Sequence, residues 1–70
     1  MGNGLRVAVL LGGRSSEREV SLRSGEAVYR ALLQKGYTAW KIDAGRDFIR
    51  ELLQDRPDVV FIALHGRFGE

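Results

Sequence analysis

Residues Leu5–Leu11 read LRVAVLL, a near-continuous apolar run that ends at the glycine pair Gly12-Gly13. An uninterrupted run of aliphatic and β-branched residues is typical of a strand that is covered on both faces, as in a parallel sheet. The same character returns in Val59–Leu64 (VVFIAL), and Tyr37–Ile42 (YTAWKI) alternates enough to indicate another strand. The sequence therefore predicts three strands, the first and last without a wet face.

A helix is predicted after the first strand, and two starting points compete for it. Ser16 followed by Glu19 forms a capping box, whereas Ser21 can cap a helix that begins at Leu22. The later start is favoured because it gathers four apolar residues on one buried face. These residues are Ala27, Val28, Ala31 and Leu32. Lys35-Gly36 then provides a helix stop.

A second helix is predicted from Asp47 to Gln54, before the last strand. Its apolar residues repeat the same stripe and are Phe48, Ile49, Leu52 and Leu53. Pro57 ends the helical region because the residue before a proline is pushed out of helical geometry.

The order strand-helix-strand-helix-strand predicts an α/β fold with a parallel sheet and right-handed crossovers. The expected strand order is 2-1-3, with one helix on each face, as in a Rossmann-like domain. Seventy residues allow one domain, so residues 1–70 are taken as a single unit.

Charge and composition exclude several classes of protein. Eleven basic residues against nine acidic ones leave a net charge of +2, too weak for a nucleic-acid or membrane surface. Most of the arginines are expected to lie on a solvated, mixed-charge face, since Arg14, Arg18 and Arg23 alternate with glutamates. The chain has no cysteine, no signal-peptide core and no apolar run long enough for a membrane span, so a cytoplasmic location is expected.

In an open parallel sheet, ligands bind beyond the carboxyl ends of the strands, where the strand order reverses. With order 2-1-3 this point lies between strands 1 and 3, so residues 12–20 and 65–70 are expected to face one another. The first of these loops, GGRSSEREV, matches neither the dinucleotide fingerprint nor the phosphate-binding loop. The helix start beside it nonetheless favours an anion in the cleft.

Two side chains in these loops are candidates for chemistry. Glu17 can simply complement the positive end of the helix dipole, or it can hold a ligand's ammonium group. His65 follows a buried strand directly, where a histidine is either a hydrogen-bonded structural residue or a group that faces the ligand crevice. The residues alone leave both alternatives open.

Two segments resemble the signature segments of the D-alanine–D-alanine ligases. The first is VAVLLGGRSSEREVSLRSG, which contains S-x-E-R-E-V-S-L, and the second is FIALHGRFGE, which contains A-L-H-G-x-x-G-E. Their separation by a helix, a strand and a second helix is also similar. The resemblance covers Arg6 to Glu70, nearly the whole chain.

This resemblance implies a Rossmann-like amino-terminal domain that precedes an ATP-grasp fold and holds the first of two D-alanines. Glu17 would hold the substrate's ammonium group, and Val20 would form an apolar wall near its methyl group. His65 would lie near the substrate carboxylate and the acyl phosphate formed from it. Ser21 and Gly66 would shape the pocket.

The resemblance also implies an ATP- and magnesium-dependent enzyme of peptidoglycan synthesis, usually a homodimer. The groups that bind ATP, magnesium and the second D-alanine would lie in central and carboxy-terminal domains, so residues 1–70 alone are expected to be inactive. Two alternatives remain: a ligase whose second substrate is D-lactate or D-serine, and a non-catalytic nucleotide- or metabolite-binding module of the same fold.

Overall fold

The computed structural model describes residues 4–13, 16–45 and 47–64, and its five elements follow the predicted order. They are β1 (Arg6–Leu11), α1 (Arg18–Gln34), β2 (Thr38–Asp43), α2 (Phe48–Asp55) and β3 (Val59–Ile62). The strand predictions are confirmed to within two residues at each end.

The three strands form one parallel sheet in the order β2-β1-β3, as predicted. In this register Leu11 lies opposite Asp43 of β2, and Leu10 lies opposite Ile62 of β3. The carboxyl ends of all three strands therefore meet at one edge of the sheet.

The core lies on both faces of the central strand β1, because successive side chains of a strand point to opposite faces. On one face Ala8 and Leu10 form a buried cluster with Ile42, against which Phe48 and Leu52 of α2 pack. On the other face, Leu11 approaches α1 so closely that a methyl group at Gly25 would lie 2.5 Å from its Cδ2. The predicted helix on each face is confirmed.

The favoured later start of α1 is wrong. The helix begins at Arg18, and the backbone N–H of Ser21 donates to the carbonyl of Glu17 within the first turn. Ser21 does not cap the helix, because its hydroxyl is turned into the protein, where it is completely buried.

The predicted buried stripe of α1 is also partly wrong. Val28 and Leu32 are half-buried, but Ala27 and Ala31 are exposed. The most buried residues of the helix are instead Ser21 and Gly25. The face of α1 that meets the sheet is thus set by two small residues, because only small residues let the helix backbone approach β1 this closely.

The predicted stripe of α2 is half right. Phe48 and Leu52 pack against the core, whereas Ile49 and Leu53 are 53% and 73% exposed. The eight-residue helix contacts the sheet with one narrow face. Ile49 and Leu53 each follow a core-facing residue in the chain, so they point away from the sheet. Asp47 caps this helix by accepting a hydrogen bond from the Arg50 N–H at 3.4 Å.

The expectation that the last strand is covered on both faces is wrong for β3. Its four residues are 37–65% exposed, although all are large and apolar. The reason is that both helices pack toward the other edge of the sheet: α1 contacts β1 and β2, and α2 contacts β2. β3 is a bare apolar edge strand in the part of the chain that the structure describes.

Candidate functional site

The edge where the three strands end is held together by backbone hydrogen bonds from the residues that follow them. The Ala63 N–H donates to the Leu10 carbonyl, and the Ala44 N–H donates to the Leu11 carbonyl, each at 2.8 Å. The segments leaving β2 and β3 are thereby fixed on either side of the end of β1. The glycine loop after β1 begins at the same edge.

Gly12 and Gly13 turn the chain sharply out of β1 toward α1. Both have positive φ angles, 80° and 86°, which residues with a side chain rarely adopt. A methyl group at Gly13 would lie 3.6 Å from Leu64, the residue directly before His65. The first loop and the segment leading into the second loop therefore lie side by side, as the topology predicts.

Ser21 connects these two segments. Its Oγ accepts a hydrogen bond from the Gly12 N–H at 2.8 Å and donates one to the Ala63 carbonyl at 2.5 Å. The residue is completely buried, so both of these backbone groups rely on it. Through this hydroxyl, α1 sets the spacing between the loops that carry Glu17 and His65.

Arg18 and Asp43 form a second connection at the same edge. The Arg18 guanidinium donates to both carboxylate oxygens of Asp43, at 2.9 and 2.5 Å, and Nη1 also donates to the Gly13 carbonyl at 2.8 Å. Asp43 accepts a further hydrogen bond from the Gly45 N–H at 2.8 Å. The Arg18 guanidinium and the Gly45 N–H hold the pKa of the Asp43 carboxyl well below its usual range. We call this arrangement the Arg18–Asp43 clamp.

The clamp corrects the expectation that Arg18 belongs to a solvated charge face. Its partner lies 25 residues further along the chain, at the end of a different strand. The predicted strand order places the end of β2, and so Asp43, beside the end of β1. Whether the Arg18 side chain can reach Asp43 depends on where α1 begins. Sequence reasoning placed that start too late and so missed both residues.

Glu17 and Val20 lie at the start of α1, which follows the glycine loop in the chain. Glu17 occupies the N-terminal cap position and is exposed, and Val20 is 37% exposed. A carboxylate and an apolar side chain are thus both presented at the surface of this turn. The structure places these two predicted site residues on the same turn as Ser21.

His65 and Gly66 lie outside the described residues, so their predicted roles stay predictions. The described chain ends with Ala63 and Leu64, which are held against the ends of β1 and the glycine loop. The convergence of the two loops is supported up to the residue before His65.

The parallel sheet in the order β2-β1-β3, with helices on both faces and a glycine loop at the carboxyl end of β1, defines a doubly wound α/β domain. No helix in the described ranges combines the length and apolar character that a bilayer crossing needs.

Comparison with known proteins narrows this class to a family. The family model described as D-ala D-ala ligase N-terminus matches residues 6–52. The chain therefore belongs to the D-alanine–D-alanine ligase family, and it is similar to the amino-terminal part of these proteins.

Three relatives agree with this assignment. The chain is 62% identical over 66 residues to the D-alanine–D-alanine ligase of Pelotomaculum thermopropionicum, covering 94% of the chain and 21% of the relative. It is 62% identical over 68 residues to the ligase of Rhodospirillum rubrum, covering 93% of the chain and 22% of that protein. With the ligase of Aquifex aeolicus the identity is 53% over 66 residues, covering 94% and 23%. The chain spans about a fifth of the length of these relatives.

Proposed function

We propose that this chain is the amino-terminal, substrate-binding part of an ATP-dependent ligase that joins two D-alanines, and that it holds the first of them. The observation that carries the proposal is the first turn of α1, where Glu17 and Val20 are exposed and Ser21 bonds the Gly12 N–H directly after β1. The family to which the chain belongs supplies the reaction class.

The chemistry of this turn suits a small amino acid. The Glu17 carboxylate matches an ammonium group, and a charge-assisted hydrogen bond between them is stronger than a neutral one. Val20 provides apolar contact for a methyl group. One methyl group gives discrimination of only about 1–3 kcal/mol, so stereoselectivity must come from fixing ammonium, methyl and carboxylate together.

The proposed reaction has two steps. The γ-phosphoryl group of ATP is transferred to the carboxylate of the first D-alanine, which gives an acyl phosphate and ADP. The amine of the second D-alanine then attacks the acyl carbon, and phosphate leaves as the peptide bond forms. His65 would lie beside the carboxylate and stabilise the developing anion, together with the positive end of α1.

ATP and magnesium are assigned to the part of the ligase outside this chain. Among the described residues, no group of three or more His, Cys, Asp or Glu side chains is close enough to hold a metal ion. We expect residues 1–70 alone to be inactive, because the groups that bind ATP and the second D-alanine are assigned to other parts of the ligase.

The test uses an assembled ligase, in which this chain replaces the matching segment of the Pelotomaculum thermopropionicum relative. Glu17→Gln keeps the size of the side chain and removes its charge. Because a hydrogen bond to a charged group contributes about 1.5–3 kcal/mol, the Michaelis constant for the first D-alanine should rise about 10- to 100-fold. The Michaelis constant for ATP should stay unchanged.

Glu19→Gln is the matched control, because Glu19 is exposed on the same turn and the substitution also removes one negative charge. It should leave both constants unchanged. An unaltered first-subsite constant in Glu17→Gln, or equal effects of the two substitutions, would refute the role of Glu17. Calorimetric binding of NAD by the assembled ligase would instead favour a nucleotide-binding module.

A further inference from the structure

The start of α1 is fixed in an unusual way. A helix start is commonly held by a capping side chain that accepts a hydrogen bond from the first turn. Glu17 occupies the cap position here, but among the described residues its side chain makes no capping hydrogen bond. Besides Ser21, the next residue, Arg18, anchors this turn to the sheet edge.

Arg18 anchors the turn through three hydrogen bonds to two different segments. Its guanidinium bonds both oxygens of Asp43 at the end of β2 and the carbonyl of Gly13 in the loop after β1. A two-pronged arginine–carboxylate contact fixes direction as well as distance, because both groups are planar. The backbone that carries Glu17 is therefore held on its carboxyl side by Arg18.

The amino side of the turn is fixed by the same clamp. A methyl group at Gly12 would lie 2.8 Å from both Arg18 Nη1 and Asp43 Oδ1, so the glycine loop passes directly against the clamp. The Gly13 carbonyl accepts from Arg18, and the Gly13 N–H lies 3.5 Å from Asp43 Oδ1. The loop before Glu17 and the helix after it thus share one anchor.

We infer that Arg18 and Asp43 are positioning residues, which hold Glu17 where it meets the ammonium group of the first D-alanine. This inference rests on the proposed function of Glu17. The clamp acts through the backbone on either side of Glu17 and does not itself touch the substrate.

Because the clamp is partly exposed, a positioning role and a purely structural role predict different effects of its loss. The side chains of Arg18 and Asp43 are 42% and 26% exposed, and ion pairs near the surface contribute little to global stability. Loss of the clamp should therefore change substrate binding more than it changes the melting temperature. A residue that only supports the fold would show the opposite pattern.

The experiment is a double-substitution cycle in the assembled ligase with Arg18→Gln, Asp43→Asn and Glu17→Gln. Each clamp substitution should raise the Michaelis constant for the first D-alanine about tenfold, because small misplacements of a binding group are costly. The Michaelis constant for ATP should stay unchanged, and kcat should change less than the first-subsite constant. In the Glu17→Gln background, Arg18→Gln should have little further effect, since the group that it positions is already disabled.

Two controls complete the design. Arg18→Lys keeps the charge but loses the two-pronged contact, so it should recover part of the affinity. Arg23→Gln removes an exposed arginine one turn further along α1 and should leave every constant unchanged.

Failure of this inference can be distinguished from failure of the proposed function. If Glu17→Gln alone leaves the first-subsite constant unchanged, the proposed function of Glu17 is wrong and the inference falls with it. The positioning role is wrong if Glu17→Gln weakens D-alanine use but the clamp substitutions do not. It is also wrong if the effects of Glu17→Gln and Arg18→Gln on the first-subsite constant are fully multiplicative in the double variant. Unfolding of both clamp variants would show a structural role and would also overturn it.

Discussion

At the scale of single residues, the sequence locates candidate side chains better than it explains what each one contacts. Glu17 and Val20 are exposed in the first turn of α1, and their roles stay predictions. Arg18 and Ser21 could not be understood from the sequence, because their partners are distant in the chain: Asp43 for the guanidinium, and Ala63 for the hydroxyl. Such pairings depend on how the helix is rotated and where it begins.

The rotation of α1 determines the hydrogen-bond partners of Ser21. Ser21→Ala would leave the Gly12 N–H and the Ala63 carbonyl without their buried partner, and an unsatisfied buried polar group costs about 1–3 kcal/mol. We expect the free energy of unfolding of the 70-residue chain to fall by about 2 kcal/mol in denaturant titrations.

Ser16→Ala is the matched control for this measurement, because it also removes a serine hydroxyl, but from an exposed position before the helix. Its effect should stay within about 0.5 kcal/mol. Equal stability of the Ser21→Ala variant and the parent chain would show that the hydroxyl does not couple the two loops.

At the scale of elements, apolar patterns locate the strands and helices but assign the wrong face to α1. The apolar runs of β1 and β3 are uninterrupted and that of β2 alternates, so the positions of the strands follow from the sequence alone. The helix instead buries Ser21 and Gly25, which a search for large apolar residues passes over. Ala27 and Ala31, which such a search selects, are exposed.

Gly25 provides a direct test of this packing. A methyl group there would lie 2.5 Å from Leu11 Cδ2 and 2.6 Å from its Cβ, so helix and strand would have to separate. In an open helix, replacing glycine by alanine is favourable by about 1 kcal/mol. Gly25→Ala should instead lower the free energy of unfolding by about 1–3 kcal/mol, as overpacking does.

Arg23→Ala, at an exposed position of the same helix, is the control and should have an effect within about 0.5 kcal/mol. Stabilisation by Gly25→Ala would mean that α1 does not lie against Leu11 as described.

At the scale of the whole molecule, the strand order follows from the sequence because chain order and crossover handedness leave few arrangements. The exposure of β3 does not follow from the sequence. An apolar run predicts that a strand is covered, but it does not identify the element that covers it. Val59–Ile62 carry this exposed apolar surface in a chain that spans about a fifth of its relatives' length. The proposed convergence of Glu17 and His65 likewise belongs to this scale, because the two residues are 48 positions apart in the chain.

The most direct measurement is a crystal structure of the assembled ligase with D-alanine bound. A single D-alanine should lie between the loops after β1 and β3, with its ammonium nitrogen about 3 Å from a Glu17 carboxylate oxygen. The His65 imidazole should lie on the carboxylate side of the same molecule. A D-alanine bound elsewhere, or Glu17 and His65 on opposite sides of the domain, would contradict the account.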